Sequence, residues 1–143
     1  DMVGPYGYCA DISRTFVCGN DFNNTQKELY SMSLEQINHN SNLIKADMSF
    51  KEFTEKSWKL PEEYYGNRYS VMVHGIGLCD EWPSIRYPTD GGDKSGRFLK
   101  NMTITVESYI GKVGGKEGVK LEQQYLVGEN GLELMSHHPL ENI

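Results

Sequence analysis

Two stretches, Ile104-Thr105-Val106-Glu107-Ser108-Tyr109 and Val119-Lys120-Leu121-Glu122-Gln123, decide how this chain is read. Each alternates apolar and polar residues at the period of a strand, and each carries a glutamate in its interior. Glutamate is a poor strand residue and is costly to bury without a partner. One such glutamate alone is most simply a solvent-facing residue on one side of a sheet. Two on successive strands call for a common reason. His74 directly follows the strand-like Tyr69-Ser70-Val71-Met72-Val73, and Asp11 lies in a turn-rich opening segment. One imidazole and several carboxylates on successive strands can converge on a pair of divalent cations. Hard oxygen donors with one nitrogen suit iron, manganese, cobalt or zinc, and a carboxylate can bridge two ions about 3.5 Å apart.

Outward from these strands the chain is organised simply. Gly4, Pro5 and Gly7 predict a turn or hairpin, leading into a strand over Ile12, Thr15, Phe16 and Val17. Thr25 with Glu28 fits a capping box, and Leu29, Met32, Ile37 and Ile44 carry the helix to about Lys45. Ser49 with Glu52 opens a shorter helix that turns Phe50, Phe53 and Trp58 toward a core, closed by Pro61. Pro83 to Gly96 reads as a loop, and Gly128-Glu129-Asn130-Gly131 as a tight turn into Leu132-Glu133-Leu134. Strand, two helices and then several strands make an α+β protein with helices on one face of an antiparallel sheet.

Bulk properties narrow the function. The chain has 143 residues and a formal net charge of −6, enough for one compact domain or part of a larger one. It has no basic patch to track phosphates, which argues against nucleic acid as a partner. No apolar run approaches the roughly 20 residues needed to span a bilayer, and no leader pattern is visible. Cys9, Cys18 and Cys79 lack metal-ligand spacing, so a reduced, cytoplasmic setting is expected. The sequons at Asn23 and Asn101 are read as chance. Beginning at Asp1 inside a Gly/Tyr-rich segment, residues 1–143 read as a partial catalytic, metal-binding domain cut within a longer protein.

Four local contexts occur in order: Gly7-Tyr8-Cys9-Ala10-Asp11-Ile12-Ser13-Arg14-Thr15-Phe16, His74-Gly75-Ile76-Gly77-Leu78, Val106-Glu107 and Gly118-Val119-Lys120-Leu121-Glu122. Together they resemble the creatinase/aminopeptidase superfamily over nearly the whole chain. That resemblance implies the C-terminal part of a pita-bread fold, a curved antiparallel sheet with helices on one face, holding two divalent metal ions. Asp1 would be the first aspartate ligand, Asp11 and Glu122 would bridge, and His74 and Glu107 would complete one ion's shell. Iron is the metal expected, with manganese, zinc and cobalt as alternatives, and a homodimer is expected of the full-length protein.

The chain also departs from the peptidases of that superfamily. There a second histidine follows the ligand histidine within a His-Glu-x-Pro motif and helps to hold the peptide. Here Asp80 stands in its place in Cys79-Asp80-Glu81-Trp82-Pro83, one residue early, and the Asp1 to Asp11 spacing is one shorter. These segments, with Val3-Gly4-Pro5-Tyr6-Gly7-Tyr8-Cys9-Ala10-Asp11, resemble instead the dimethylsulfoniopropionate lyases of the DddP type. That branch implies Asp80 as catalytic base and Tyr69 beside it, acting on a small-molecule substrate, dimethylsulfoniopropionate. Trp82, Tyr64 and Tyr65 are candidates to face the sulfonium by cation–π contact, worth roughly 0.5–2 kcal/mol per face. The plainer readings are a turn cap for Asp80 and ordinary packing for Tyr64 and Tyr65. Arg14 is either a partner of a ligand carboxylate or a surface ion pair, and His39, His137 and His138 are incidental. Rival functions are an Xaa-Pro aminopeptidase or dipeptidase using the same metals, and a pita-bread binding module that has lost catalysis.

Overall fold

A computed structural model describes residues 1–19, 21–92 and 94–140. Its framework is a five-stranded antiparallel sheet of β3 (Val71–Gly75), β4 (Ser84–Arg86), β5 (Thr103–Gly111), β6 (Gly118–Val127) and β7 (Leu132–Leu134), in the order β4-β3-β5-β6-β7. A separate two-stranded hairpin pairs β1 (Met2–Val3) with β2 (Cys9–Ala10) across a 3₁₀ turn at Pro5–Gly7. The helices are α1 (Asn24–Leu43), α2 (Phe50–Lys56) and the single turn α3 (Glu62–Tyr65).

Alternation along β5 and β6 sorts their side chains. Ile104, Val106, Ile110, Val119, Leu121 and Val127 join the buried apolar core with Leu29 and Ile37 of α1, which packs against both strands. The inward stripe of α1 is partly polar, so it is anchored by hydrogen bonds as well. Ser33 Oγ donates to Ser108 Oγ (3.0 Å), Ser108 Oγ to Gln36 Oε1 (2.6 Å), and Gln36 Nε2 to the Tyr87 hydroxyl (2.5 Å). Buried polar groups so satisfied fix the helix's register on the sheet.

Both helix starts are capped, one of them earlier than expected. The Asn23 side chain accepts from the Gln26 amide, and the Gln26 side chain returns to the Asn23 amide, so the box lies two residues before Thr25 and Glu28. Asparagine outranks threonine as a cap, because its carbonyl reaches the end amides from an extended backbone more readily. The helix stops at Leu43, with Ile44 extended, short of Lys45. Ser49 accepts from the Glu52 amide at 3.0 Å as expected. Phe50 and Phe53 meet Phe98 edge-to-face at 5.0 and 5.7 Å, while Trp58 is half-buried.

Two expectations are corrected. Residues 12–17 form no regular strand: Ser13 alone bridges to Glu122, and Thr15 Oγ1 pairs with the Lys120 backbone, while Phe16 is exposed. The loop from Pro83 to Gly96 contains the edge strand β4, because Ile85 supplies a side chain that is fully buried opposite Val73. The turn at Gly128–Gly131 forms as read, closed by Gly128 N–H donating to the Gly131 carbonyl at 2.8 Å. Among the described residues no helix is long and apolar enough to cross a membrane.

Candidate metal centre

Register brings the two glutamates together. Glu107 on β5 sits directly opposite Glu122 on β6, and His74 on β3 is opposite Thr105, the neighbour of Glu107 on the same face. Asp11 arrives just after β2, carried in by the Ser13–Glu122 bridge, whose two backbone bonds measure 3.4 and 3.0 Å. His74 Nε2 then lies 3.2 Å from Glu122 Oε1 and 3.7 Å from both Glu107 Oε1 and Asp11 Oδ2. Asp11, His74 and Glu122 each offer one donor atom within 4.8 Å of the others. The cluster lies in a cleft of about 310 Å³, lined also by Asp1, Ser13, Tyr69, Glu81 and Lys120.

Three buried carboxylates around one imidazole are electrostatically incomplete. Burial pushes the Glu107 carboxyl up to about 7, with the nearby Glu122 charge adding to it. Burial and Glu122 likewise raise Asp11. Burial alone would lower His74, but its hydrogen bond to Glu122 and the Glu107 charge carry it up to about 9. Glu122 is held low against its own burial by the His74 and Lys120 contacts. Glu107 Oε1 is buried and has no hydrogen-bond partner. An orphaned carboxylate oxygen beside an imidazole nitrogen is the donor set a divalent cation completes, so these residues fit a metal centre. Nδ1–H of His74 donates to the Gly75 carbonyl at 3.0 Å, which aims Nε2 at the carboxylates.

The other residues singled out by sequence divide. Asp1 lines the cleft with its side chain about half exposed, and Tyr69 lines it at the mouth. Asp80 is exposed and is not among the lining residues; its neighbour Glu81, at φ 58°, is. Trp82 is 62% exposed on the same loop. Tyr64 and Tyr65 are not brought to the cleft. Tyr64 is buried in the core, and Tyr65 packs edge-on against Tyr87 under the Arg68 guanidinium while bonding Thr89. Arg14 forms neither of the pairs considered for it: it donates to the carbonyls of Ser13, Glu122, Pro139 and His138 and to Gln123 Oε1, tying the opening segment to β6. His39 bonds the Lys56 carbonyl and His138 edges onto Phe16, so His74 is the one histidine lining the cleft among the described residues.

Sequence reasoning missed Lys120, Ser13 and Glu81. The signal for Lys120 was present, since residues two apart on a strand share a face and Lys120 precedes Glu122 by two. Ser13 and Glu81 reach the cleft through loop paths that no periodicity marks.

Comparison with known proteins accounts for this geometry. The family model of metallopeptidase family M24 matches residues 1–129. The chain belongs to metallopeptidase family M24. Members of this family act with divalent metal ions, in keeping with the cluster around His74. The chain is 35% identical over 145 residues to the dimethylsulfoniopropionate lyase DddP of Roseovarius nubinhibens, covering 99% of this chain and 32% of that protein. It is 34% identical over 134 residues to the Xaa-Pro dipeptidase of Pyrococcus furiosus, covering 90% of this chain and 36% of that protein. Among solved structures, the prolidase from Pyrococcus furiosus superposes with a TM-score of 0.74 at 30% identity, covering 92% of this chain and 38% of that one. The X-Pro aminopeptidase from Thermotoga maritima superposes at 0.75 with 29% identity, covering 94% and 37%. The M24 chain thus has the pita-bread architecture of the prolidases and spans about a third of the length of the relatives it matches.

Proposed function

We propose that this M24 chain is the metal-binding part of a lyase that cleaves dimethylsulfoniopropionate to dimethyl sulfide and acrylate. The observation that carries the proposal is the cleft's histidine content: His74 alone lines it among the described residues, and by the resemblance to the DddP-type lyases Asp80 stands in sequence where the peptidases of the superfamily have a second histidine. A peptide's tetrahedral intermediate then lacks its imidazole donor, whereas elimination needs a general base, which a carboxylate can supply.

Asp1, Asp11, His74, Glu107 and Glu122 would hold two divalent ions, a donor set that suits iron, manganese, cobalt or zinc, with iron favoured by the resemblance to the DddP-type lyases. When bound, the ions would hold the substrate carboxylate and withdraw electron density from it. Asp80, on the loop that forms the cleft rim with Glu81, takes the α-proton. The electrons of that C–H bond form the new double bond, the bond from the β-carbon to sulfur breaks, and neutral dimethyl sulfide leaves. Acrylate remains, with the proton on Asp80. Tyr69 at the mouth orients the substrate or Asp80. With Tyr64 and Tyr65 outside the cleft, the sulfonium falls to Trp82 on the rim loop and to the Glu81 carboxylate. The proposal includes a cytoplasmic, homodimeric full-length enzyme.

The test is direct. Metal-loaded full-length protein is given dimethylsulfoniopropionate and its headspace assayed for dimethyl sulfide, with Xaa-Pro dipeptides in a parallel assay. Release of dimethyl sulfide, abolished by Asp80→Asn with metal content intact, is expected. Absence of dimethyl sulfide alongside efficient dipeptide cleavage would return the chain to the hydrolases.

A further inference from the structure

Each of the two glutamates in the cluster uses its two oxygens differently. The inner oxygen of Glu122, Oε1, faces His74 at 3.2 Å, while its outer oxygen, Oε2, accepts from Ser13 Oγ at 2.9 Å. Glu107 repeats the arrangement: Oε1 faces His74 at 3.7 Å with no hydrogen-bond partner, and Oε2 accepts from the Lys120 ammonium. Lys120 Nζ also lies 3.8 Å from Glu122 Oε2 and 4.1 Å from the Tyr69 ring centroid. Its backbone is fixed in turn by Thr15, whose Oγ1 both accepts from Lys120 N–H at 3.0 Å and donates to the Lys120 carbonyl at 2.8 Å.

The geometry points to Lys120 and Ser13 as positioning residues that hold Glu107 and Glu122 by their outer oxygens, so that both carboxylates keep their orientation toward His74. The physical reason is twofold. A carboxylate with both oxygens free can rotate about its Cγ–Cδ bond, whereas a donor on the outer oxygen holds the plane and leaves the remaining lone pairs aimed in fixed directions. The ammonium also offsets part of the charge of two carboxylates that are 98% buried, so the ligands stay assembled before an ion arrives. Lys120 further links the centre to the cleft mouth, because the same ammonium lies over the Tyr69 ring. The inference rests on the cleft being a metal centre and is independent of which reaction it performs.

Cobalt(II) tests it, since its visible absorption reports coordination geometry. The full chain and its K120M, K120R and S13A variants are titrated with cobalt, affinity being read by calorimetry and geometry by the absorption bands. K120M is expected to lose about 10–100-fold in affinity, the usual cost of removing a group that orients a ligand, and to change the band shape. K120R, which still donates a charged hydrogen bond, recovers most of both, and S13A loses roughly 10-fold. Unchanged affinity and spectrum in K120M would overturn the inference, as would equal losses in K120M and K120R, which would make lysine's packing the cause. If K120M fails to fold, unchanged cobalt binding in S13A and K120R overturns it instead. Failure of the unsubstituted chain to bind cobalt would overturn the metal centre itself, an outcome distinct from either.

Discussion

The two faces of β5 and β6 use the same backbone to opposite ends. On the face toward α1, Ile104, Val106, Ile110 and Leu121 are fully buried, and the polar Ser108 has its hydrogen bonds met by Ser33 and Gln36. On the other face Glu107 and Glu122 are as deeply buried, yet Glu107 Oε1 has no hydrogen-bond partner, and burial, with the Glu122 charge adding to it, raises the Glu107 carboxyl. One face is closed by apolar packing and paired hydrogen bonds; the other gathers carboxylates around His74 and the Lys120 ammonium. The difference shows where stability resides and where function resides, although the two lie one residue apart along the strand.

Adjacent residues make the sharpest break between the faces. Leu121→Ala should cost about 2–5 kcal/mol in chemical denaturation, as a cavity opens beneath α1, while metal stoichiometry per folded molecule stays unchanged. Its neighbour Glu122→Gln should do the reverse. Metal affinity should fall by more than the roughly 100-fold that marks the upper cost of losing an outer partner, while metal-free stability loses only the charge contact with His74 and no cavity opens. Comparable effects of both substitutions on both readouts would erase the distinction.

The pH dependence of the metal-free chain follows from the ligand face alone. Glu107 is raised from 4.5 to about 7, so stability present below 4.5 is lost as pH rises through 7. His74 is raised from 6.5 to about 9, so its contribution is present below 6.5 and lost as pH rises through 9. Glu122 is shifted the other way, and its contribution is lost as pH falls below 4.5. Thermal melts should therefore show metal-free stability highest near pH 5 and declining toward 9. Added divalent metal should reverse the alkaline decline, because the ion takes His74 in its neutral form and displaces the proton. A flat profile in both states would remove the electrostatic account of the cluster.

Smaller effects belong away from both faces. Ser49→Ala removes the cap of α2 and should cost about 1 kcal/mol in denaturation. Lys51→Ala breaks only an exposed pair with Glu55 and should change stability by less than about 0.5 kcal/mol.

Much of the site was legible because it rests on local patterns. Glu107, Glu122 and His74 stand out as polar residues in or beside apolar strands, and strand alternation alone puts Glu107 and Glu122 on consistent faces. The residues that escaped lie where no period applies. Glu81 reaches the cleft in place of Asp80 through a left-handed backbone turn, which leaves no mark in a one-dimensional pattern. Tyr64 and Tyr65 carry the right rings for a sulfonium, but the single turn of α3 sends one into the core and the other onto Tyr87.

The strand between Ser84 and Arg86 escaped for another reason. Three residues are too short for a pattern, and only the pairing of Ile85 with Val73 makes them a strand. Arg14 is similar, since four of its five acceptors come from two distant stretches of the chain, Glu122-Gln123 and His138-Pro139.

By itself, then, the sequence determined the class of fold and the strands that carry Glu107 and Glu122, which follow from short-range periodicity, and its motifs grouped them with Asp11 and His74 as candidate ligands through their resemblance to a known superfamily. The tertiary structure decided which oxygen of each glutamate faces inward, that Lys120 and Ser13 hold the outer ones, and which aromatic residues stay outside the cleft. Those outcomes depend on pairing between residues more than a hundred positions apart, as Ser13 and Glu122 are at a separation of 109, and such pairing exists only once the chain has folded.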